Sequence, residues 1–181
     1  MIRAADMATV LAGAALLGAM MASAPDYNSV FQPFPAHAAP GEAADGRLFD
    51  ARFLGGRLAR QVAFERYGTP IIRDSAALFL IADFEVSHVT ASTRIAATWR
   101  GASGRDYAAT GRVEGAPGGL EARWFQPGLT DRAFAVFELP ADEVPGGRLV
   151  LTAPGVTILD SALHLPAPPL PGPQPLARIA P

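Results

Sequence analysis

Few residues in this 181-residue chain could do chemistry, and arginine dominates them. Arg52, Arg57, Arg60, Arg66 and Arg73 fall close together, with Glu65 and Asp74 among them. Guanidinium groups grip carboxylates and phosphates through paired N–H donors. The run therefore has two readings. It is a docking face for an acidic partner or anionic headgroups, or a solvated hairpin whose charges answer one another. Farther along, Trp124-Phe125 stands just before the Pro127-Gly128 turn. An apolar pair so placed reads as an exposed contact patch.

The other reactive groups show no convergent spacing. His37, His88 and His164 lie in a linker, near a strand end and near the end of the last strand. A zinc site would need them to meet with a carboxylate, and no spacing indicates it. The absence of cysteine excludes disulfides, thiolate metal sites and thiol nucleophiles. Asp83 and Glu85 share a polar strand face, where solvation accounts for them. There is no G-x-S-x-G elbow for a hydrolase. The runs "GAPGG" and "PGGR" lack both the strand–loop–helix setting and the lysine of a phosphate cradle. The chain reads as non-catalytic, with no cofactor and no metal. A net charge of -2 and a pI near 5.9 argue against nucleic acid as a partner. No lysine and a single asparagine, Asn28, point to a GC-rich bacterial genome.

The amino terminus bears on the address. Arg3 precedes a charge-free run from Met7, whose apolar core to Ala24 is about 18 residues, the low end of what spans ~30 Å of hydrocarbon. It is also long for the core of a cleaved signal peptide. Ala22-Ser23-Ala24 has the small residues of a cleavage site, but Pro25 follows. The reading preferred is a retained signal anchor in the bacterial inner membrane, crossing once, with the bulk of the chain in the periplasm. Tyr27, Phe31 and Phe34 then suit the interface belt beyond the span. Cleavage and secretion is the alternative.

The elements that must position these residues are strands. "RLFDARFL" (47–54) and "RLARQVAFERY" (57–67) alternate, and Gly55-Gly56 between them predicts a hairpin. "ALFLIADFEVSHV" (77–89) starts apolar on both faces, as a strand covered on both sides at one end does. "TRIAATWR" (93–100) places Trp99 in the core. Asp131 to Leu139 predicts a long strand, opened by Pro127-Gly128 and stopped by Pro140. Ala141 to Val144 predicts one helical turn. About nine short strands separated by Gly, Pro, Asp and Ser turns indicate an antiparallel all-β sandwich. The 18 glycines and 17 prolines suit it. The chain divides into an anchor helix (1–25), a Pro-containing linker (26–46), a sandwich (47–165) and a Pro-rich tail (166–181). The tail is expected to be extended and unable to form a core.

"SAALFLIADFEVSHVTASTRIAATWRGASGRDYAATGRV" followed by "FQPGLTDRAFAVFELPADEVPGGRLVLT" resembles small bacterial envelope proteins of unknown function. In these an amino-terminal membrane segment precedes an immunoglobulin-like sandwich. The shared pattern is a long apolar strand, a G-x-x-G-x-x-Y turn (Gly101, Gly104, Tyr107), then "PGL" and "FELP". The resemblance implies a fold and a location, with no catalytic residues. Together these observations predict a membrane-anchored periplasmic accessory protein that contacts a membrane-protein partner. The docking candidates are Arg52, Arg57, Arg60, Arg66, Trp124 and Phe125. The alternative is a secreted periplasmic module that binds a small ligand or glycan.

Overall fold

The computed structural model describes residues 4–24, 32–121, 123–155 and 160–179. It divides into two units, residues 1–32 and residues 33–181.

The first unit is helix α1 (Ala4–Ser23), 20 residues rich in alanine, leucine and methionine, all strong helix formers. Half of its positions are alanine or glycine, which add little apolar area, and Asp6 lies within it. Among the described residues, no helix is long and apolar enough to cross a membrane. The crossing expected here is therefore not supported. Tyr27 and Phe31 lie outside the described residues, and Phe34 is an exposed residue at the start of the first strand.

The second unit is a β-sandwich. Its strands are β1 (Phe34–His37), β2 (Ala43–Ala44), β3 (Asp50–Arg66), β4 (Thr69–Ser87), β5 (Ala96–Arg100), β6 (Asp106–Ala108), β7 (Asp131–Leu139), β8 (Arg148–Thr152), β9 (Ser161–Pro166) and β10 (Gln174–Arg178). One sheet runs β1-β9-β8-β5-β6 and the other β10-β3-β4-β7, with β2 also on β3. Pairing is antiparallel except at two edges, where β1 lies parallel to β9 and β10 parallel to β3. The sequence predicted antiparallel pairing throughout. Both exceptions come from segments read as linker and tail, which join far from their sequence neighbours.

Alternation sends one face of each sheet into a shared core. Phe53, Leu80, Phe84, Phe137 and Leu139 from one sheet meet Trp99, Leu149, Leu151 and Leu163 from the other. Trp99 sits between Phe53 and Phe137, at 6.5 and 6.3 Å between ring centroids. Side chains of this size contribute roughly 1.5–3 kcal/mol each on burial.

A second, smaller core lies on the opposite face of β3, β4 and β7. It gathers Ala59, Val62, Phe64, Phe79, Ile81, Phe134 and Val136 under Val113, Ala177 and Ile179. This is why Phe79 and Ile81 stand beside the inward Leu78 and Leu80: one end of β4 is apolar on both faces because it is covered on both. An irregularity between Ala59 and Gln61 brings Val62 and Phe64 to the face that Ala59 occupies.

Gly55-Gly56 does not turn the chain. β3 runs through it with a register shift between Phe53 and Gly55, which is a bulge. The hairpin turns instead at Tyr67-Gly68, where φ is 52° and 78° and Arg66 pairs with Thr69. Positive φ at both central residues is the type I′ geometry that matches the twist of the strands. The expected Asp131–Leu139 strand and a 3-10 turn at Ala141–Glu143 are both present. The tail differs from expectation: Gln174–Arg178 is strand β10, and Ala177 and Ile179 are buried.

Candidate functional site

The second core ends in a groove. After β6 the chain leaves its own sheet and crosses the outer face of β7. Thr110 N–H donates to Val136 O at 2.7 Å, and Gly119 bridges Phe134. A 3-10 turn, Gly111–Val113, begins the crossing, with Thr110 Oγ1 accepting from Arg112 N–H at 3.3 Å. Further turn bonds, Ala116 N–H to Val113 O and Gly119 N–H to Ala116 O, keep it compact.

Two arginines pin this crossing. Arg112 donates to Glu138 Oε1 at 2.9 Å and to Asp74 O at 2.8 Å, and its guanidinium lies over the Phe79 ring. Arg123 donates to Asp131 Oδ1 at 2.7 Å and lies over Phe125. Between them an open cavity of about 770 Å³ remains, floored by Phe134 and Val136 and rimmed by Arg66, Tyr67, Glu114 and Glu121. Arg66 lays its aliphatic stem on Gly115. A Cβ there would come within 2.6 Å of Arg66 Cδ and displace that side chain, and the φ of +82° at Gly115 favours glycine in its own right. Tyr67 is 97% exposed at the turn. Burial, and then the charge of Glu114, push the Glu121 carboxyl above the usual carboxylate range. The rim thus carries both signs around an apolar floor, an arrangement suited to holding a polar ligand or chain segment.

The arginine run does not form one patch. Arg66 stands at the groove and Arg52 near the other end of β3, some 14 residues and about 45 Å of strand away. Arg52 and Arg132 both donate to Glu85, at 2.9 and 3.3 Å, in one cross-strand row. Burial works to raise the Glu85 carboxyl, and the bonds from Arg132 and Arg52 outweigh it, leaving it lowered. Arg57 faces Asp83 at 3.4 Å and donates to Arg178 O at 3.0 Å. Burial raises the Asp83 carboxyl, partly offset by Arg57. Arg52 and Arg57 are thus answered by acids of the same sheet. Arg60 is exposed at the β3 irregularity. Arg73 donates to Arg112 O at 3.4 Å, behind the crossing.

The Trp124-Phe125 pair divides. Trp124 is 57% exposed, but Phe125 is fully buried in the main core. Phe125 exchanges backbone hydrogen bonds with Thr93, which turns its ring inward and removes it from any contact surface. Sequence reading missed Tyr67, Glu114, Glu121 and Arg123. The apolar outward residues of β4 and β7 carry a signal that something must cover them, and Val113 with Ala116 of the crossing and Ala177 with Ile179 of the tail supply the cover.

No family model matches the chain, and no curated protein does. Among solved structures it is similar to three bacterial proteins. One is an uncharacterized β-sandwich protein from Clostridium difficile 630, at 8% identity and TM-score 0.46, covering 78% of this chain and 99% of that one. Another is the yjhA protein from Bacillus subtilis, at 14% identity and TM-score 0.49, covering 70% and 97%. The third is a conserved hypothetical protein from Bacillus anthracis, at 8% identity and TM-score 0.46, covering 67% and 93%.

Proposed function

We propose that this chain is a non-catalytic accessory module of the bacterial envelope, and that the groove beside Arg66 and Tyr67 is where it engages a membrane-protein partner. One observation carries the reading. The Thr110–Arg123 crossing is anchored by Arg112 and Arg123, and with Phe134 and Val136 of β7 it lines an open cavity of about 770 Å³ with an apolar floor and a charged rim. Acids of that sheet answer Arg52, Arg57 and Arg132, whereas Arg66 and Glu114 at the groove, like Arg60 and Arg73, meet no opposite charge within ion-pair distance among the described residues.

The address rests on the amino terminus. Helix α1 carries apolar residues on every side: Val10, Leu11, Leu16, Leu17, Met20 and Met21, separated only by small residues. A helix with no polar face favours leaving water. The apolar core of an export signal needs only about 7–15 residues, fewer than a crossing. This supports delivery to the inner membrane or periplasm and an immunoglobulin-like domain working there.

A photoreactive residue at position 67, in cells expressing the full chain, tests the partner. The expected result is one dominant adduct that Arg66→Glu abolishes. Adducts from position 152, on the other sheet, with none from position 67, would move the interface and sink the reading.

The cavity volume favours a second reading, capture of a small ligand or glycan, since clefts of about 300–1,000 Å³ suit small molecules. A cleaved amino terminus, found by mass spectrometry of the mature protein, together with saturable glycan binding lost in Arg66→Glu, would establish it instead.

A further inference from the structure

The outer face of the other sheet carries one ionisable side chain on each of its five strands, in a row across its width. In spatial order these are His37 on β1, His164 on β9, Arg148 on β8, Arg100 on β5 and Asp106 on β6. The register fixes them: His37 lies opposite His164, Arg148 opposite Arg100, and Arg100 opposite Asp106. Val150 is the residue opposite His164, so Arg148 stands one pair along, on the diagonal.

The row is unbalanced. Its one acid, Asp106, is engaged by Arg100 through both carboxylate oxygens, at 2.7 and 2.8 Å. Arg148 faces Arg100 directly, an unfavourable pairing of like charges, and has no ion pair among the described residues. The imidazoles of His37 and His164 lie 4.7 Å apart between centroids, tilted by 37°. His164 is only 7% exposed, and its Nδ1 has no hydrogen-bond partner among the described residues. A buried ring nitrogen without a hydrogen-bond partner thus lies diagonal to a guanidinium that has no ion pair among the described residues, and an oxyanion together with a proton would satisfy both.

We propose that this row is a binding site for a small soluble oxyanion of the phosphate class, held between Arg148 and the His37–His164 pair and taken up together with a proton. Arg148 offers a fork of donors matched to oxyanion geometry, and each imidazole, which carries one N–H when neutral, offers two once protonated. Four basic groups then meet two negative ones. Burial, and next the positive charges of His37, Arg100 and Arg148, hold His164 neutral with its titration lowered to about 4, while Asp106 acts weakly the other way. An anion among the same groups offsets the local positive charge and favours the imidazolium. His37 on the edge strand is exposed and opens the row to solvent, while the His164 ring lies too deep for a flat bilayer surface to touch.

The test is an NMR pH titration of the histidines in the full chain, with inorganic phosphate against chloride at matched ionic strength. Saturating phosphate is expected to raise the His164 midpoint by about one unit or more, a tenfold gain in proton affinity. Arg148→Ala, with an unchanged amide spectrum, is expected to abolish that rise. Calorimetry at a pH between the free and phosphate-bound midpoints, in two buffers of different ionisation enthalpy, should show net proton uptake on phosphate binding. An unmoved His164 midpoint, an equal rise in chloride, or an equal rise in Arg148→Ala overturns the site. So does Arg148-dependent sedimentation with phosphatidylglycerol vesicles without any response to free phosphate, which would assign the row to lipid.

Discussion

Trp99 and Glu143 are joined in the interior: the indole Nε1 donates to the backbone carbonyl of Glu143 at 3.0 Å, and both residues are buried. The bond ties the C-terminal end of β5 to the 3-10 turn after β7 and gives the one polar atom of a large aromatic ring a partner. Trp99→Phe keeps most of the packing but strands the carbonyl, so a loss of about 1–3 kcal/mol is expected. Trp99→Ala adds a cavity between Phe53 and Phe137, and about 3–5 kcal/mol is expected. Urea unfolding of the two variants checks both the order and the gap between them.

The carboxylate of the same Glu143 holds the neighbouring turn. It accepts from Ser103 Oγ at 2.6 Å and from Ser103 N–H at 3.1 Å. Gly101 makes room, since a Cβ there would fall 2.1 Å from Glu143 Oε2. The hydrogen bonds from Ser103 hold the carboxyl below its usual range. Its folded value therefore lies under its unfolded one, and the unfolded chain binds the proton first as pH falls. The stabilisation is fully present above about 4.3, the unfolded value, and is lost as pH drops through the folded value. Glu143→Gln is expected to lower stability at pH 7 and to flatten this acid limb. Ser103→Ala should flatten it partly. Unfolding curves between pH 2 and 6 measure both; a Glu143→Gln limb as steep as the native one would refute the latch.

Much of the sandwich was legible in the sequence because its signals are local. Asp131 to Leu139 alternates Phe134 and Val136 against Ala135 and Phe137, and these residues do pack into two different cores. What was not legible depends on distant partners. Gly55-Gly56 carries the same local signal in a hairpin and in a bulge, and only pairing with Asp83 and Ala82 selects the bulge. Phe125 resembled a surface residue until Thr93 paired with it. The groove has no sequence motif, because Arg66, Glu114 and Arg123 come together only when the crossing folds over β7. His37 and His164 meet through a parallel pairing that no turn encodes.

The β3–β4 turn places a bulky residue where an asparagine or glycine is usual. Tyr67 has φ 52°, and its side chain is almost wholly exposed, so little packing offsets the strain. Tyr67→Asn is expected to stabilise by about 1 kcal/mol, because asparagine tolerates the left-handed region. Gly68→Ala, at φ 78°, is expected to cost about 1–2 kcal/mol. Thermal unfolding of the pair gives shifts of opposite sign. If both variants destabilise, Tyr67 has a stabilising contact at the groove rim, and a groove ligand should then shift the Tyr67→Asn melting point less than the native one.

The carboxy-terminal segment is rich in proline, and composition alone would make it dispensable. The pairing says otherwise. Gln174, Leu176, Ala177 and Arg178 lie in register with Ala59, Gln61, Val62 and Ala63, and Ile179 N–H donates to Ala63 O at 2.8 Å. Ala177 and Ile179 bury against Val62 and Phe64 in the small core beneath the groove. Proline suits this edge, because Pro175 sits between paired residues and needs no ladder N–H. Ile179→Ala is therefore expected to cost about 2–5 kcal/mol, as for other buried isoleucines. Truncation after Gly172 is expected to cost more and to raise amide exchange at Ala59–Ala63 first. A truncated chain that melts with the full-length one, with Ala59–Ala63 equally protected, would show that β10 adds nothing to the small core.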